Sequence, residues 1–286
     1  MMDRCSPGWP TAASNVVGVI GYPVSQSLSP LLHQAAFDAL GLDWVSVGFA
    51  VPVGEVRRAL EGMRALRIVG LSVTMPHKSD AADAVDELTP LARRLGAVNC
   101  VINREGSLLG DSTDGAGLLA ALEEGSGLTP KGRRCVVIGA GGAARAAVVA
   151  LADAGATQVA VVNRTRPRAD EAAALAGEVG VTAGIDAVSE ADIVVHATPV
   201  GMSGSGAETE DPFVGIHFHE GQVVMDLVYV PKETPLLKVA RSSGARVVGG
   251  LGMLVRQAAV ALEHWTGVPA PVEEMWAAAR AAVGGR

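Results

Sequence analysis

Residues Cys135–Ala147 read CVVIGAGGAARAA, and this stretch decides the fold. The apolar run Cys135–Ile138 has the length of a strand buried on both faces of a parallel sheet. Gly139, Gly141 and Gly142 follow, and after them comes an Ala-rich segment of helical composition. Strand, glycine turn and helix in this order fit the G-x-G-x-x-A fingerprint of a dinucleotide-binding unit, with Gly139, Gly141 and Ala144 in its three small-residue places. Gly139 permits the tight turn. Gly141 lacks the Cβ that would hold a pyrophosphate away from the backbone, and Ala144 lets helix and strand pack closely. The N–H groups that open the helix then face an anion. In isolation the pattern also describes a plain glycine-rich turn; the apolar run before it and the helix after it favour the dinucleotide.

On either side of this turn, strand and helix patterns alternate, which predicts α/β architecture. Before it, strands are expected over Val16–Gly21, Trp44–Phe49, Ile68–Val73, Val98–Asn103 and Leu108–Gly110, the last two joined by a Glu105-Gly106 turn. Helices are expected over Pro30–Leu40, Val53–Leu66, Pro76–Val85, Leu91–Leu95 and Gly115–Glu124. Ser29 reads as the N-cap of the first helix, with Pro30 in its first position and Gly41 at its end. The breaker-rich loop Gly125–Gly132 precedes the glycine turn, so a domain change is placed near Asp114–Pro130. After it come helix Arg145–Ala154, strand Gln158–Val162, helix Arg166–Ala176 and strands Ile193–Ala197 and Val223–Leu227. Helix Pro235–Ser242, strand Arg246–Val248 and closing helices Leu251–Trp265 and Val272–Val283 complete the pattern. Met202–Asp211, rich in glycine and acids, is expected to be a mobile loop, and Met1–Ser14 a loose extension.

With 286 residues the chain has the length of about two domains. Hydrophobic residues make up 49% and charged residues 19%, the balance of a soluble globular protein and not of a disordered one. A net charge of −7 argues against nucleic acid or an anionic membrane as the main partner, and no apolar run has the length of a membrane span. The N-terminal segment lacks the apolar core of a signal peptide. Cys5, Cys100 and Cys135 show no metal-site or disulfide spacing; the latter two lie in apolar runs and are expected to be buried thiols in a reducing, cytoplasmic setting. The His217-x-His219 pair lacks a third ligand nearby in sequence and reads as surface histidines, so no metal is expected.

In an NAD site the second strand ends in an acid that accepts from the ribose 2′-OH. Here Gln158–Val162 ends in Asn163-Arg164-Thr165, without an acid. Arg164 suits an adenosine 2′-phosphate, Thr165 offers a hydroxyl, and Arg166 and Arg168 add positive charge, which favours NADP over NAD. The competing reading is a Thr165 helix cap beside solvated arginines.

Three polar clusters remain. Gly21–His33 carries Ser27 and Ser29 between a strand and a helix, where hydroxyls hold a carboxylate; alone they read as a cap and a turn. Gly70–Lys78 joins a strand end to a helix start and ends in Lys78, which alone would be a surface side chain. Gly110–Gly115 places Asp111 and Asp114 at the domain boundary, and Asp114 also suits a helix N-cap. A Lys and an Asp meeting in an interdomain cleft can move the proton that accompanies hydride transfer.

Together these features resemble the shikimate dehydrogenase family from about Val16 to Val283. The motifs are G-x-P-x-x-x-S-x-S-P-x-x-H at Gly21–His33, V-T-x-P-x-K at Val73–Lys78, A-V-N at Ala97–Asn99 and D-x-T-D-G-x-G at Asp111–Gly117. They continue with G-A-G-G-A at Gly139–Ala143, N-R-T at Asn163–Thr165 and G-x-G-M-L-x-x-Q at Gly250–Gln257. The resemblance implies reversible, NADP(H)-dependent reduction of 3-dehydroshikimate to shikimate, a step of aromatic amino acid biosynthesis, in a monomer or homodimer. It implies two α/β domains with the active site in the cleft between them. The substrate-binding and catalytic domain is 1–113, completed by C-terminal helices 250–286, and the Rossmann-like NADP-binding domain is 114–249.

By the same resemblance Ser27 and Ser29 bind the substrate carboxylate, and Thr74, Asn99, Asp114 and Gln257 bind the ring hydroxyls. Lys78 is the acid/base, paired with Asp114, and Tyr229 lies near the substrate. Gly139, Ala140, Gly141, Gly142, Ala143, Asn163, Arg164, Thr165 and Arg168 bind the cofactor, and Leu227 and Gly250 line the nicotinamide. Two residues depart from the pattern: Ser72 stands where the family usually has Asn, and His196 where it often has Asn before Ala-Thr. Ser72 bears on substrate preference, whereas Ser29, which is Thr in quinate-preferring members, favours shikimate. His33 reads as a structural residue. The alternatives are a quinate or aminoshikimate dehydrogenase and a non-catalytic NADP-binding regulator, with a folate-linked dehydrogenase more distant. Lys78 and Asp114 argue against the regulator, and the Ser27–Ser29 pair against the folate enzyme.

Overall fold

The computed structural model describes residues 10–203 and 216–284. Residues 1–9 of the expected extension, Cys5 among them, and residues 204–211 of the expected mobile loop lie outside the described residues. The chain forms two compact units, Met1–Thr113 with Ala258–Arg286, and Asp114–Gln257. The division falls inside the penultimate helix, after Gln257, and not at Gly250.

The first unit is built on a six-stranded mixed sheet of order β2-β1-β3-β5-β6-β4. Its strands are β1 (Asn15–Gly21), β2 (Trp44–Ala50), β3 (Gly70–Val73), β4 (Glu87–Leu88), β5 (Cys100–Arg104) and β6 (Ser107–Asp111). β1 pairs parallel with β2 and β3, whereas β5 runs antiparallel to both β3 and β6. The β5–β6 hairpin turns at Glu105 and Gly106, both with positive φ, as a two-residue hairpin loop requires. The apolar faces of β1, β3 and β5 pack against α2 (Val56–Ala65) through Ile20, Leu71, Val73, Val101, Leu60 and Met63. Helix α2 begins three residues later than its composition predicts, because the Pro52–Glu55 turn occupies its expected first turn. The helices α1 (Ser29–Leu40), α3 (Lys78–Ala82), α4 (Pro90–Leu95) and α10 (Val272–Gly284) complete this unit.

The second unit has a six-stranded sheet of order β12-β11-β10-β7-β8-β9, every pair parallel. The strands are β7 (Arg134–Ile138), β8 (Gln158–Val162), β9 (Gly180–Thr182), β10 (Ile193–His196), β11 (Val223–Asp226) and β12 (Arg246–Gly249). Read from β9, this is the 3-2-1-4-5-6 order of a Rossmann sheet, with its switch point between β7 and β10. Between them run α5 (Asp114–Ser126), α6 (Gly142–Asp153), α7 (Arg166–Ala174) and α8 (Pro235–Ser242). Helix α9 (Leu251–Thr266) follows β12 and crosses the division between the units. One face of the sheet buries Cys135, Val137, Val159, Ile193 and Met225 against Ala144, Ala147, Val148 and Leu151 of α6.

The two short strands β4 and β9, and a 3-10 segment at Ile185–Glu190, are not apparent in the sequence pattern, because elements this short carry no hydrophobic period. Cys100 and Cys135 are buried, and burial with the nearby Asp192 carboxylate pushes the Cys135 thiol up to about 12. His217 and His219 are exposed. Among the described residues no helix is long and apolar enough to cross a membrane.

Candidate active site

In the first unit, the pairing of strands brings the three polar clusters and the Ala97–Asn99 motif to one edge of the sheet. The parallel register Ile20↔Val73 and the antiparallel registers Ser72↔Cys100 and Cys100↔Asp111 align the ends of β1, β3 and β6 with the start of β5. The chain leaves this edge at Gly21, Thr74 and Ser112 and enters it at Asn99. Backbone bonds lock the row: Thr74 N–H donates to Ile20 O, Val73 N–H to Asn99 O, and Asn99 N–H to Asp111 O. Gly21 must be glycine here, since a Cβ on it would run into the Thr74 methyl.

Beyond Gly21, Ser27 and Ser29 lead into α1. Ser29 is the first residue of α1, not its N-cap; Leu28 holds the cap position, without a side-chain bond. The capping oxygen comes instead from Ser27, whose Oγ accepts the Ser29 N–H at 3.3 Å. A serine two residues upstream thus takes one of the free amides of the helix start, and the buried Ser29 hydroxyl is released from that duty. After β3 the chain turns at Thr74–His77, with His77 N–H donating to Thr74 O. Buried His77 anchors this turn through Nε2 to Val51 O at 2.7 Å, and the half-buried Lys78 opens α3 directly after it. Asn99 is clamped by Thr113: its Oδ1 accepts the Thr113 N–H at 2.7 Å and its Nδ2 donates to Thr113 Oγ1 at 2.9 Å. Asp111 accepts from Thr89 Oγ1 at 2.6 Å and from the Ser112 N–H at 2.8 Å. Ser72 Oγ is buried on β3 with no hydrogen-bond partner among the described residues. His33 is structural: its ring is buried edge-on to Trp265, and Nδ1 meets Ser46 Oγ at 3.0 Å.

In the second unit, one row of paired residues crosses the carboxyl edge of the sheet: Val162, Ile138, His196, Asp226 and Gly249. The residues that follow them are Asn163, Gly139, Ala197, Leu227 and Gly250. Four of these five are expected cofactor contacts from sequence; Ala197 is not. Gly139 has φ +123°, and a Cβ on it would stand 2.8 Å from the Ala197 carbonyl oxygen. Gly250 is closed in by the Leu227 carbonyl in the same way. Gly141, by contrast, would point its Cβ into open space, and it is the N-cap of α6, whose first turn carries Gly142 and Ala143. Ala144 is fully buried against the sheet.

Asn163 Nδ2 donates to Thr165 O across the turn after β8. Thr165 occupies the N-cap position of α7, as the competing reading has it, but its hydroxyl makes no capping bond. Arg164 and Arg168 are exposed and form no ion pair among the described residues, whereas Arg166 is held by Asp170 at 3.2 Å. These features fit a dinucleotide with an extra phosphate: an open amide cradle at a helix start, guanidinium groups without an ion-pair partner among the described residues and no carboxylate in the Asn163–Thr165 turn itself.

Asp114 is buried as the first residue of α5. Two glycines of its motif serve packing. Gly115 lets α5 approach Ala150 of α6, and a Cβ on Gly117 would stand 2.7 Å from the Gln257 backbone nitrogen. The Asp114 helix and the start of α9, with Gln257, are therefore held close together. Gln257 Nε2 donates to Leu254 O, and Tyr229 is half-buried after β11.

A Shikimate dehydrogenase substrate binding domain model matches residues 19–101, a Shikimate / quinate 5-dehydrogenase model 122–203 and a Shikimate 5'-dehydrogenase C-terminal domain model 250–280. A shikimate dehydrogenase (NADP(+)) of Methanopyrus kandleri is 46% identical, covering 92% of this chain and 94% of the relative. The chain belongs to the shikimate dehydrogenase family. Among solved structures, a shikimate dehydrogenase in complex with NADP+ superposes with a TM-score of 0.88 at 38% identity, covering 96% of this chain and 98% of its own. The Thermus thermophilus shikimate 5-dehydrogenase in complex with NADP(H) and shikimate gives 0.85 at 37% identity, covering 94% and 99%.

A polar group to which sequence reasoning gives no role is the buried His196–Asp226 pair of this shikimate dehydrogenase fold, with Nδ1 and Oδ1 2.9 Å apart. The sequence carries a signal for it: IVVH and VVMD are apolar runs that each close on one polar residue, and the parallel register sets these two side by side.

Proposed function

We propose that this protein is an NADP-dependent oxidoreductase that acts on a CH–OH group, interconverting 3-dehydroshikimate and shikimate in both directions. The observation that carries the reading is the single edge of the first sheet shared by the serine segment after β1, Thr74 and Lys78 after β3, Asn99 before β5 and the Asp111–Thr113 turn after β6. A carboxylate suits the Ser27 and Ser29 hydroxyls beside the start of α1. By the family resemblance, Thr74 and Asn99 of the first unit and Asp114, Gln257 and Tyr229 of the second would contact the ring and its hydroxyls. The first domain, 1–113 with the closing helices, takes the substrate, and the Rossmann-like domain takes the cofactor.

NADP would be held by the Gly139–Ala143 turn, by Asn163, Arg164, Thr165 and Arg168 at the 2′-phosphate, and by Leu227 and Gly250 at the nicotinamide. When bound it supplies or takes a hydride. In carbonyl reduction the Lys78 ammonium donates a proton to the oxygen on which negative charge develops, and in the reverse direction its amine takes that proton back. By the family resemblance, Asp114 is the partner of Lys78 at the same hydroxyl. A positioned acid/base of this kind contributes about 10²–10⁴ in rate.

The test is a spectrophotometric assay of purified protein with shikimate, quinate or aminoshikimate, each with NADP or NAD. Turnover of shikimate with NADP is the expected result. Faster turnover of quinate would reassign the substrate, and no turnover of any of them would overturn the reading.

A further inference from the structure

His196 closes β10, directly before the one segment of the carboxyl edge that the expected cofactor contacts leave out. It is fully buried, as is Asp226 beside it. Asp226 meets donors on both oxygens: Oδ1 takes the His196 ring and the Val228 N–H at 3.0 Å, and Oδ2 takes the Thr234 hydroxyl at 2.6 Å. The carboxylate therefore accepts from His196 Nδ1–H, which turns Nε2 toward a second partner. Its partner is the Thr198 hydroxyl. Thr198 Oγ1 in turn accepts the Val200 N–H at 3.3 Å. The imidazole thus joins Asp226, which also orients the segment Leu227–Val228, to the turn Ala197–Val200. That turn lies against the glycine turn: a Cβ at Gly139 would meet both the Ala197 carbonyl and the Thr198 methyl. The place is the β7/β10 switch point of the sheet, where ligands of this architecture bind.

We infer that His196 is a positioning residue for cofactor binding: the Asp226–His196–Thr198 chain holds the Ala197–Val200 turn against Gly139 as a preformed rim for the central stretch of the dinucleotide. This rests on the NADP reading above. An asparagine at position 196 keeps a donor for Asp226 but does not reach Thr198, so the step from ring to hydroxyl is what this histidine adds.

The experiment measures the dissociation constant of NADPH by fluorescence titration and the KM for shikimate separately, in wild type, H196N, T198V, T198S and the H196N/T198V double variant. Loss of one neutral hydrogen bond corresponds to about tenfold in affinity. H196N and T198V are expected to weaken NADPH by about that factor each, the double variant no further than either, and T198S to bind as wild type does; the shikimate KM stays within about twofold. If H196N and T198V bind NADPH as wild type does while only their melting temperatures fall, His196 is merely structural and the inference is overturned. Should H196N not fold, T198V, at a partly exposed position, decides alone. Wild type that binds NADPH but does not turn over shikimate would defeat the substrate reading and leave the effect of the variants on binding to decide the role of His196. Wild type that does not bind NADPH would overturn both.

Discussion

The Ala197 carbonyl oxygen lies 2.8 Å from where a Cβ on Gly139 would stand, and Gly139 holds φ at +123°. Two independent constraints therefore meet at one residue, one from its own backbone and one from the neighbouring strand end. Gly139→Ala is expected to cost about 1–3 kcal/mol of stability from the backbone conformation alone, with weaker NADPH binding as the turn shifts. Urea denaturation followed by circular dichroism measures the first and fluorescence titration the second. A variant with the wild-type midpoint would contradict the close approach.

Lys78 is half-buried and opens α3 directly after the turn anchored by buried His77. Lys78→Ala is expected to lower kcat by about 10²–10⁴, with NADPH affinity unchanged, because the residue lies in the first unit and the proposal assigns the cofactor to the second. Steady-state rates and cofactor titration on the same preparation separate the two quantities. A parallel loss of both would place Lys78 among the cofactor contacts.

Arg164 is exposed, lies at the end of β8 and forms no ion pair among the described residues, so its charge is available to a ligand. Arg164→Ala is expected to weaken NADP by about ten- to a hundredfold, the size of one charge-assisted hydrogen bond, and to leave NAD nearly unchanged. Calorimetric titration with both nucleotides measures the ratio. Equal weakening of the two would refute the phosphate contact.

Burial lowers the His33 imidazole from 6.5 to about 3. Between those values the unfolded chain binds a proton that the folded one excludes. The contribution of the neutral ring is thus fully present above about pH 6.5 and is lost as pH falls, at about 1.4 kcal/mol per pH unit. His33→Gln is expected to reduce the slope of unfolding free energy against pH by that amount between about pH 6 and pH 4. Urea titrations across the range test it, and identical slopes in both proteins would show that the ring is not held neutral.

The second sheet was largely legible because its strands are buried on both faces. Runs such as CVVI, VAVV and IVV contain no polar interruption, and Gly139–Ala144 marks the turn after the first of them. The first sheet was legible as strands but not as a mixed sheet. Nothing local tells β3 that its next neighbour runs antiparallel, and β4 is only two residues long. Ser29 shows the limit at a single residue. A serine before a proline is the expected cap, yet the chain enters the helix one turn angle earlier, and Ser27 takes over the bond.

The sequence by itself determined the kinds of element, the places where the backbone must be glycine, the absence of an acid after β8 and the order of the family motifs. These are local properties, set by side-chain size, charge and allowed φ. Tertiary structure alone decided which segments stand side by side. The register that sets His196 against Asp226 turns two strand-closing residues, 30 apart in sequence, into one hydrogen-bonded pair. The crossing that sets Gly117 under Gln257 does the same for two motifs at opposite ends of the second unit. Such contacts depend on strand order and helix approach, and these arise from packing whole apolar faces together rather than from any single stretch of chain.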